Sequence, residues 1–213
     1  SYLFFNARIP PYGDFRIRRA LSLLVPWESV RKPSKRYSAT SSLVPAIPDY
    51  PTVPGIDSVD RVRALAMLSE SGFTNGMNLP NIRIVTTADS AHTRTAEGLA
   101  QIWRRELAVD VSIEHLSYDR YRSRLENGDF TVAMMTWTGD YADPLSFLQM
   151  WRSDSNLNVS GYSSEVYDRL LTEAASISDP ERYQALSEAE TLLLDSAIVL
   201  PLFNASVINL VDT

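Results

Sequence analysis

Two acids stand three residues apart, Asp140 and Asp143, in the stretch "MMTWTGDYADPLSF" that spans 134–147. Paired carboxylates are the groups that cleave glycosides, one as acid and the other as base or nucleophile. Asp143 has a simpler reading, because an Asp ahead of a proline is a routine helix start. Asp140 has no such local task, and no basic residue neighbours it in sequence. Trp137 either fills the core or walls a ligand. His92 lies in "TADSAHTRT" beside Asp89 and Ser90, a grouping that suggests a nucleophilic triad. Triad members are placed by the fold, however, and no G-x-S-x-G elbow is present, so a surface or helix-end histidine is the simpler reading. His115 falls in a strand pattern, where a structural role is the default.

The two histidines lack metal-ligand spacing, so no metal is expected. With no cysteine in the chain, disulfides, zinc thiolates and cysteine nucleophiles are excluded. There is no glycine-rich phosphate loop and no dinucleotide fingerprint, hence no expected cofactor. The motifs "NVS" at 158–160 and "NAS" at 204–206 match glycosylation sequons, which short motifs often do by chance.

Elements able to position these residues follow from periodicity. "YLFFNAR" reads as a strand, then Pro10, Pro11 and Gly13 turn the chain. Asp14 can cap a helix through "FRIRRALSLLV" with Phe15, Ile17, Leu21 and Leu24 inward, ended by Pro26. Residues 32–57 carry Pro33, Pro45, Pro48, Pro51 and Pro54. That composition predicts a long irregular excursion, and long ordered loops are often functional. A helix starting at Asp57 or Ser58 closes at Gly72. A strand "NIRIVTT" precedes a helix capped by Asp89 or Ser90, with Ala96, Leu99, Ala100, Trp103 and Leu107 on one face. "VDVSIEHL" alternates as a strand with Val109, Val111 and Ile113 on one side. A helix to Gly128 follows, then the doubly buried strand "FTVAMMTW". Helices open at Asp143-Pro144, Ser164 and Asp179-Pro180, and "IVLPLFNA" and "VINLV" read as closing strands. Such alternation predicts an α/β fold with a mixed central sheet flanked by helices. Sites in open α/β sheets lie off strand ends, where Trp137 and Asp140 fall.

Of the 213 residues, 45% are hydrophobic and 22% charged, a globular balance. The net charge of −6 makes nucleic acid an unsuitable partner. The basic run from Arg31 to Arg36 is short and reads as a solvated loop.

Several stretches carry a family resemblance. "FFNARIPPYGDFRIRRALSLLV", "AMLSESGFTNG", the block from "VTTADSAHTRT" to "TWTGDYADPLSFL", "YSSEVYDRLL" and "DSAIVLPLF" resemble, in order, segments of the extracytoplasmic solute-binding proteins of peptide-type ABC transporters. The likeness spans nearly the whole chain. It implies a type II periplasmic-binding-protein-like lobe, with residues 1–213 forming the C-terminal lobe of a larger two-lobed protein and the chain opening inside a strand. It further implies a binding protein rather than an enzyme, located outside the cytoplasmic membrane and anchored to it. An oligopeptide or dipeptide would be passed to the importer's membrane subunits. By the resemblance, Asp140 meets the ligand's α-ammonium beside Trp137, Thr138 and Tyr141. Tyr118 falls at an aromatic lining position and His92 where some members meet the ligand's far end. Some members fix the peptide carboxylate with arginines; this chain has Leu125 and Met134 at the positions matched to them. Oligosaccharides and metal complexes are the alternative solutes of that fold, and a carboxylate-dependent hydrolase is the alternative of another class.

Overall fold

In a computed structural model, residues 1–32 and 37–205 are described. A five-stranded sheet in the order β4-β3-β5-β1-β6 forms the centre. Its strands are β1 (Tyr2–Phe5), β3 (Ile82–Thr87), β4 (Val111–Leu116), β5 (Val132–Met135) and β6 (Val199–Pro201). β3 runs parallel to both β4 and β5. Two crossovers create that parallel trio: α4 (Ser90–Glu106) between β3 and β4, and α5 (Tyr118–Glu126) between β4 and β5. β1 inserts antiparallel between β5 and β6, which makes the sheet mixed. A separate ribbon pairs β2 (Tyr37–Ala39) with β7 (Phe203–Ala205).

β1 explains why the sheet needs cover on both faces, since all four of its residues are buried. Phe5 meets Trp103 of α4 at 6.4 Å between rings on one side. On the other, Phe4 meets Phe130 at 5.5 Å and Trp151 at 5.9 Å in edge-to-face contacts, the favoured aromatic geometry. Trp103 also donates its indole N–H to the Leu21 carbonyl at 3.0 Å, joining α4 to α1 (Phe15–Leu23). A short helix, α2 (Trp27–Val30), follows α1, and helix α3 (Arg61–Glu70) packs on α1. The chain returns through α6 (Leu145–Leu148), α7 (Glu165–Ala174) and α8 (Glu181–Asp195).

The strand registers bring one edge of the sheet together. The parallel trio ends there at Thr87, Leu116 and Met135, and pairing of Tyr2 with Met135 and with Pro201 places the start of β1 and the end of β6 beside them. β5 is shorter than the apolar run 130–137, because its partner β1 begins at Tyr2 and nothing continues the ladder past Met135.

Several expectations change. α3 starts at Arg61, capped by Asp60, whose carboxylate accepts from the Arg63 amide at 2.9 Å. The Asp60 amide also bonds the Leu23 carbonyl, so the helix is registered against α1 rather than at 57 or 58. Phe15 is 53% exposed, because it follows the cap while Ile17 and Leu21 face inward. Arg31 is no solvated residue: it is buried, stacks on Trp27 at 4.2 Å, and donates to the Pro201 carbonyl at 2.9 Å. Asn158 is buried with its amide N–H groups donating to the carbonyls of Trp151, Arg152 and Tyr162, so "NVS" is a structural knot. The closing strand expected over 207–211, and Ser206 of the second sequon, lie outside the described residues.

Candidate functional site

Beyond the shared sheet edge opens a cleft of about 630 Å³. Its floor is Ser1, Tyr2 and Thr136. One wall is the Pro-rich segment, through Ser42, Leu43, Pro45, Ala46 and Ile47. The facing wall is the loop after β5, through Trp137, Thr138, Gly139, Tyr141 and Ala142, with Phe147 behind it.

The loop wall is tightly folded. Trp137 donates its indole N–H to the Ser146 carbonyl at 2.8 Å, which turns the ring across the loop. Ser146 donates its hydroxyl hydrogen towards the carbonyls of Tyr141 and Asp143 at 2.8 and 2.7 Å. Gly139 sits in little space: a Cβ there would lie 2.8 Å from the tip of the Phe147 ring and 3.1 Å from the Ser146 hydroxyl, so the ring would have to shift to admit it. Asp143 accepts from the Leu145 amide at 2.8 Å and from Arg182 of α8 at 2.7 Å. Burial works to raise its carboxyl, but the Arg182 contact and the Leu145 amide outweigh this and hold it below the usual range. Asp143 is therefore an ionised brace, unsuited to act as an acid beside Asp140. Asp140 stands exposed between two lining residues, and among the described residues it forms no salt bridge or hydrogen bond.

The Pro-rich wall is fastened from below. Glu190 of α8 is fully buried. One of its carboxylate oxygens accepts from the amides of Leu43 and Val44 at 2.7 and 2.9 Å. The other accepts from the Tyr50 hydroxyl at 3.0 Å. The Ile56 amide bonds the Ser41 carbonyl at 3.0 Å, closing the excursion on itself. Sequence reasoning missed Glu190, because the second of two acids in "LSEAETLLL" looks like one more polar helix residue; its spacing among Leu186, Ala189 and Leu193 is the signal that places it on the buried side.

Of the sequence-derived residues, Trp137, Thr138 and Tyr141 line the cleft and Asp140 lies within the same loop. His92 is buried below the floor, with Nε2 at 3.2 Å from the Ser1 hydroxyl and 3.3 Å from the Thr136 hydroxyl. It is thus neither a surface residue nor a cleft residue. Among the described residues Asp89 does not orient it as a triad acid would: Asp89 accepts from the Ala91 and His92 amides as the cap of α4, and His92 Nδ1 has no hydrogen-bond partner. Tyr118 is 66% exposed at the start of α5 and stands outside the cleft lining. Leu125 and Met134 are both core residues, so neither position presents a side chain to the cleft. Among the described residues there is no group of three or more His, Asp or Glu able to hold a metal.

The pattern that defines the bacterial extracellular solute-binding proteins, family 5 Middle, matches residues 1–158. The chain belongs to this family. It is 29% identical over 210 residues to the periplasmic oligopeptide-binding protein OppA of Salmonella typhimurium, covering 93% of this chain and 38% of that protein. It is 27% identical to the probable deoxycholate-binding periplasmic protein YgiS of Escherichia coli, covering 99% of this chain and 41% of that protein. The solved structure of the Escherichia coli murein tripeptide binding protein MppA superimposes with a TM-score of 0.86 at 23% identity, over 96% of this chain and 42% of that one. The fold is that of a type II periplasmic-binding-protein lobe, and the chain spans about two fifths of the length of these relatives. These relatives are named as binding proteins, OppA and YgiS as periplasmic ones. No helix among the described residues is long and apolar enough to cross a membrane.

Proposed function

We propose that residues 1–213 are the C-terminal lobe of a two-lobed solute-binding component of an ABC importer. In this reading the protein works outside the cytoplasmic membrane, anchored to it, and catalyses no reaction. It captures oligopeptides or dipeptides between its lobes and hands them to the importer's membrane subunits. The observation that carries the peptide reading is Asp140, exposed in the loop that walls the cleft and without a partner among the described residues. A ligand ammonium supplies the missing counter-charge, and such charge-assisted contacts are stronger than neutral ones. The structural use of Asp143 supports a binder over a hydrolase.

In the natural protein that carries this chain, Asp140→Ala is expected to weaken tripeptide binding by about one and a half to three and a half decades, with the melt of the empty protein unchanged. Acetylating the peptide's amine should weaken binding to the unsubstituted protein similarly and add little in the variant. Calorimetric titration reads both. Equal affinity for free and acetylated peptides would remove Asp140 as the ammonium anchor. A second reading, capture of an apolar solute, would then lead; it is favoured by the likeness over 99% of this chain to a protein named a probable deoxycholate-binding one and by the Trp137, Tyr141 and Phe147 surfaces.

A further inference from the structure

Both walls of the cleft stand on one helix. α8 holds the Pro-rich wall through Glu190 and the loop wall through Arg182, which pairs with Asp143 at 2.7 Å. The two fastenings are of different kinds. The Arg182–Asp143 pair is partly exposed and sits in a loop that already has its own hydrogen bonds. The Pro-rich wall has a sparser framework between Thr40 and Ile56: it is neither helix nor strand there, and apart from the closure at Ser41 its internal bonds are short-range ones, Thr40 with Ser42, Ser42 to Val44 and Tyr50 to Ile47. Its position depends on the burial of Leu43, Val44, Val53 and Ile56, on the closure at Ser41, and on the Glu190 carboxylate.

A buried carboxylate without a cation is costly unless its lone pairs are filled. Here they are filled by the wall itself: two consecutive amides on one oxygen and the Tyr50 hydroxyl on the other. Consecutive amides converging on one oxygen fix the direction of the backbone at Leu43 and Val44, not merely its distance. Leu43 lines the cleft, and Pro45, Ala46 and Ile47 follow directly. Tyr50, at the far end of the same stretch, is held again by Tyr183 of α8, with edge-to-face rings 5.7 Å apart.

We propose that Glu190 is a positioning residue for solute binding: from beneath the cleft, its carboxylate sets where the 43–50 wall stands, and so sets affinity without touching the solute. This rests on reading the cleft as the solute site. The acceptor geometry, not the charge, is what the wall requires, so an amide at this position should serve and an isosteric apolar group should not.

The test compares Glu190→Gln, Glu190→Leu and Tyr50→Phe in the natural protein that carries this chain, with trialanine titrated by calorimetry and amide exchange followed residue by residue. Glu190→Gln should keep Leu43 and Val44 protected and bind trialanine within about threefold of the parent. Glu190→Leu should lose protection at those two amides and at least about tenfold in affinity, while the β5 amides stay protected. Tyr50→Phe, which leaves the acid in place, should weaken binding a few-fold. The exchange arm needs no solute: Leu43 and Val44 amides that remain protected in Glu190→Leu overturn the proposal, even if the parent ignores trialanine and the peptide reading itself fails. Unprotected Leu43 and Val44 amides with full affinity overturn it too. Should Glu190→Leu unfold altogether, unchanged affinity in Tyr50→Phe together with a large loss in Glu190→Gln overturns it, because geometry would then not be what matters.

Discussion

Glu190 is an acid kept where water does not reach. Burial raises its carboxyl above the ordinary 4.5, and the amides of Val44 and Leu43 with the Tyr50 hydroxyl offset only part of that. A carboxyl whose folded value exceeds its unfolded one binds its proton more tightly in the folded state. The folded protein therefore gains stability from this group as pH falls through the raised value, completes the gain below 4.5, and loses it again on the way up. Glu190→Gln has no proton to gain. The difference in melting temperature, parent minus Gln variant, should rise as pH is lowered from neutral towards 4.5. A difference that stays flat across that window would show that Glu190 does not titrate with a raised value. His92 shifts the other way: burial lowers it, with Asp89 opposing, so it stays neutral at physiological pH. A neutral imidazole suits its place between the Ser1 and Thr136 hydroxyls, which it can serve as donor or acceptor.

Helix α4 shows how far an element can be understood on its own. Its cap, its inward face and its extent all follow from the pattern 89–107, and the structure agrees with each. Gly98 in its middle is different. A Cβ added there meets nothing within 4 Å, so no close contact among the described residues demands glycine. Mid-helix glycine costs about 0.5–1 kcal/mol relative to alanine. Gly98→Ala should raise the unfolding free energy by about that amount in a denaturant melt; a loss would mean the space above the helix is taken. Other elements were legible for similar reasons. Asp14 and Ser164 cap their helices as local chemistry dictates, and β5 reads as doubly buried because it is. The Pro-rich stretch was legible only as an irregularity. Its proline spacing says what it cannot be, but its anchor lies some 140 residues away on α8, and local patterning carries no record of such a partner. The burial of Arg31 was hidden in the same way, since its carbonyl acceptor at Pro201 is 170 residues off. In the candidate site, Trp137 and Asp140 were readable from their place after a strand, while the depth of His92 depends on β1 arriving beside β5.

The whole described chain shares one continuous core, running from β1 through α1, α4 and β5 to α8 and β6. A unit of this kind is expected to fold alone and to melt cooperatively. Calorimetric and van't Hoff enthalpies for residues 1–213 should agree, and trialanine should shift the melt little, because in the two-lobed reading half the contacts to solute come from elsewhere. Two separated transitions would break the single-core account, and tight binding by this chain alone would break the two-lobed one.

The pairing of β1 with β6 has a mechanical side. The Ser1 nitrogen donates to the Phe203 carbonyl, and the Leu202 amide donates to the Ser1 carbonyl. The two ends of the described chain thus leave the sheet as neighbours, on the same edge as the cleft. A pull on them does not load the β1–β6 ladder all at once. At the far end it must first free Phe203–Ala205 from the β2–β7 ribbon; within the sheet it then meets the Ser1–Phe203 and Ser1–Leu202 bonds, next the Tyr2–Pro201 pair, and only afterwards Phe4–Val199, opening the strands like a zip from the cleft side. The parallel trio bears none of that load at the start. Within the five-stranded sheet, a stretch applied at the ends would therefore be felt first at Ser1 and Tyr2, the floor of the cleft.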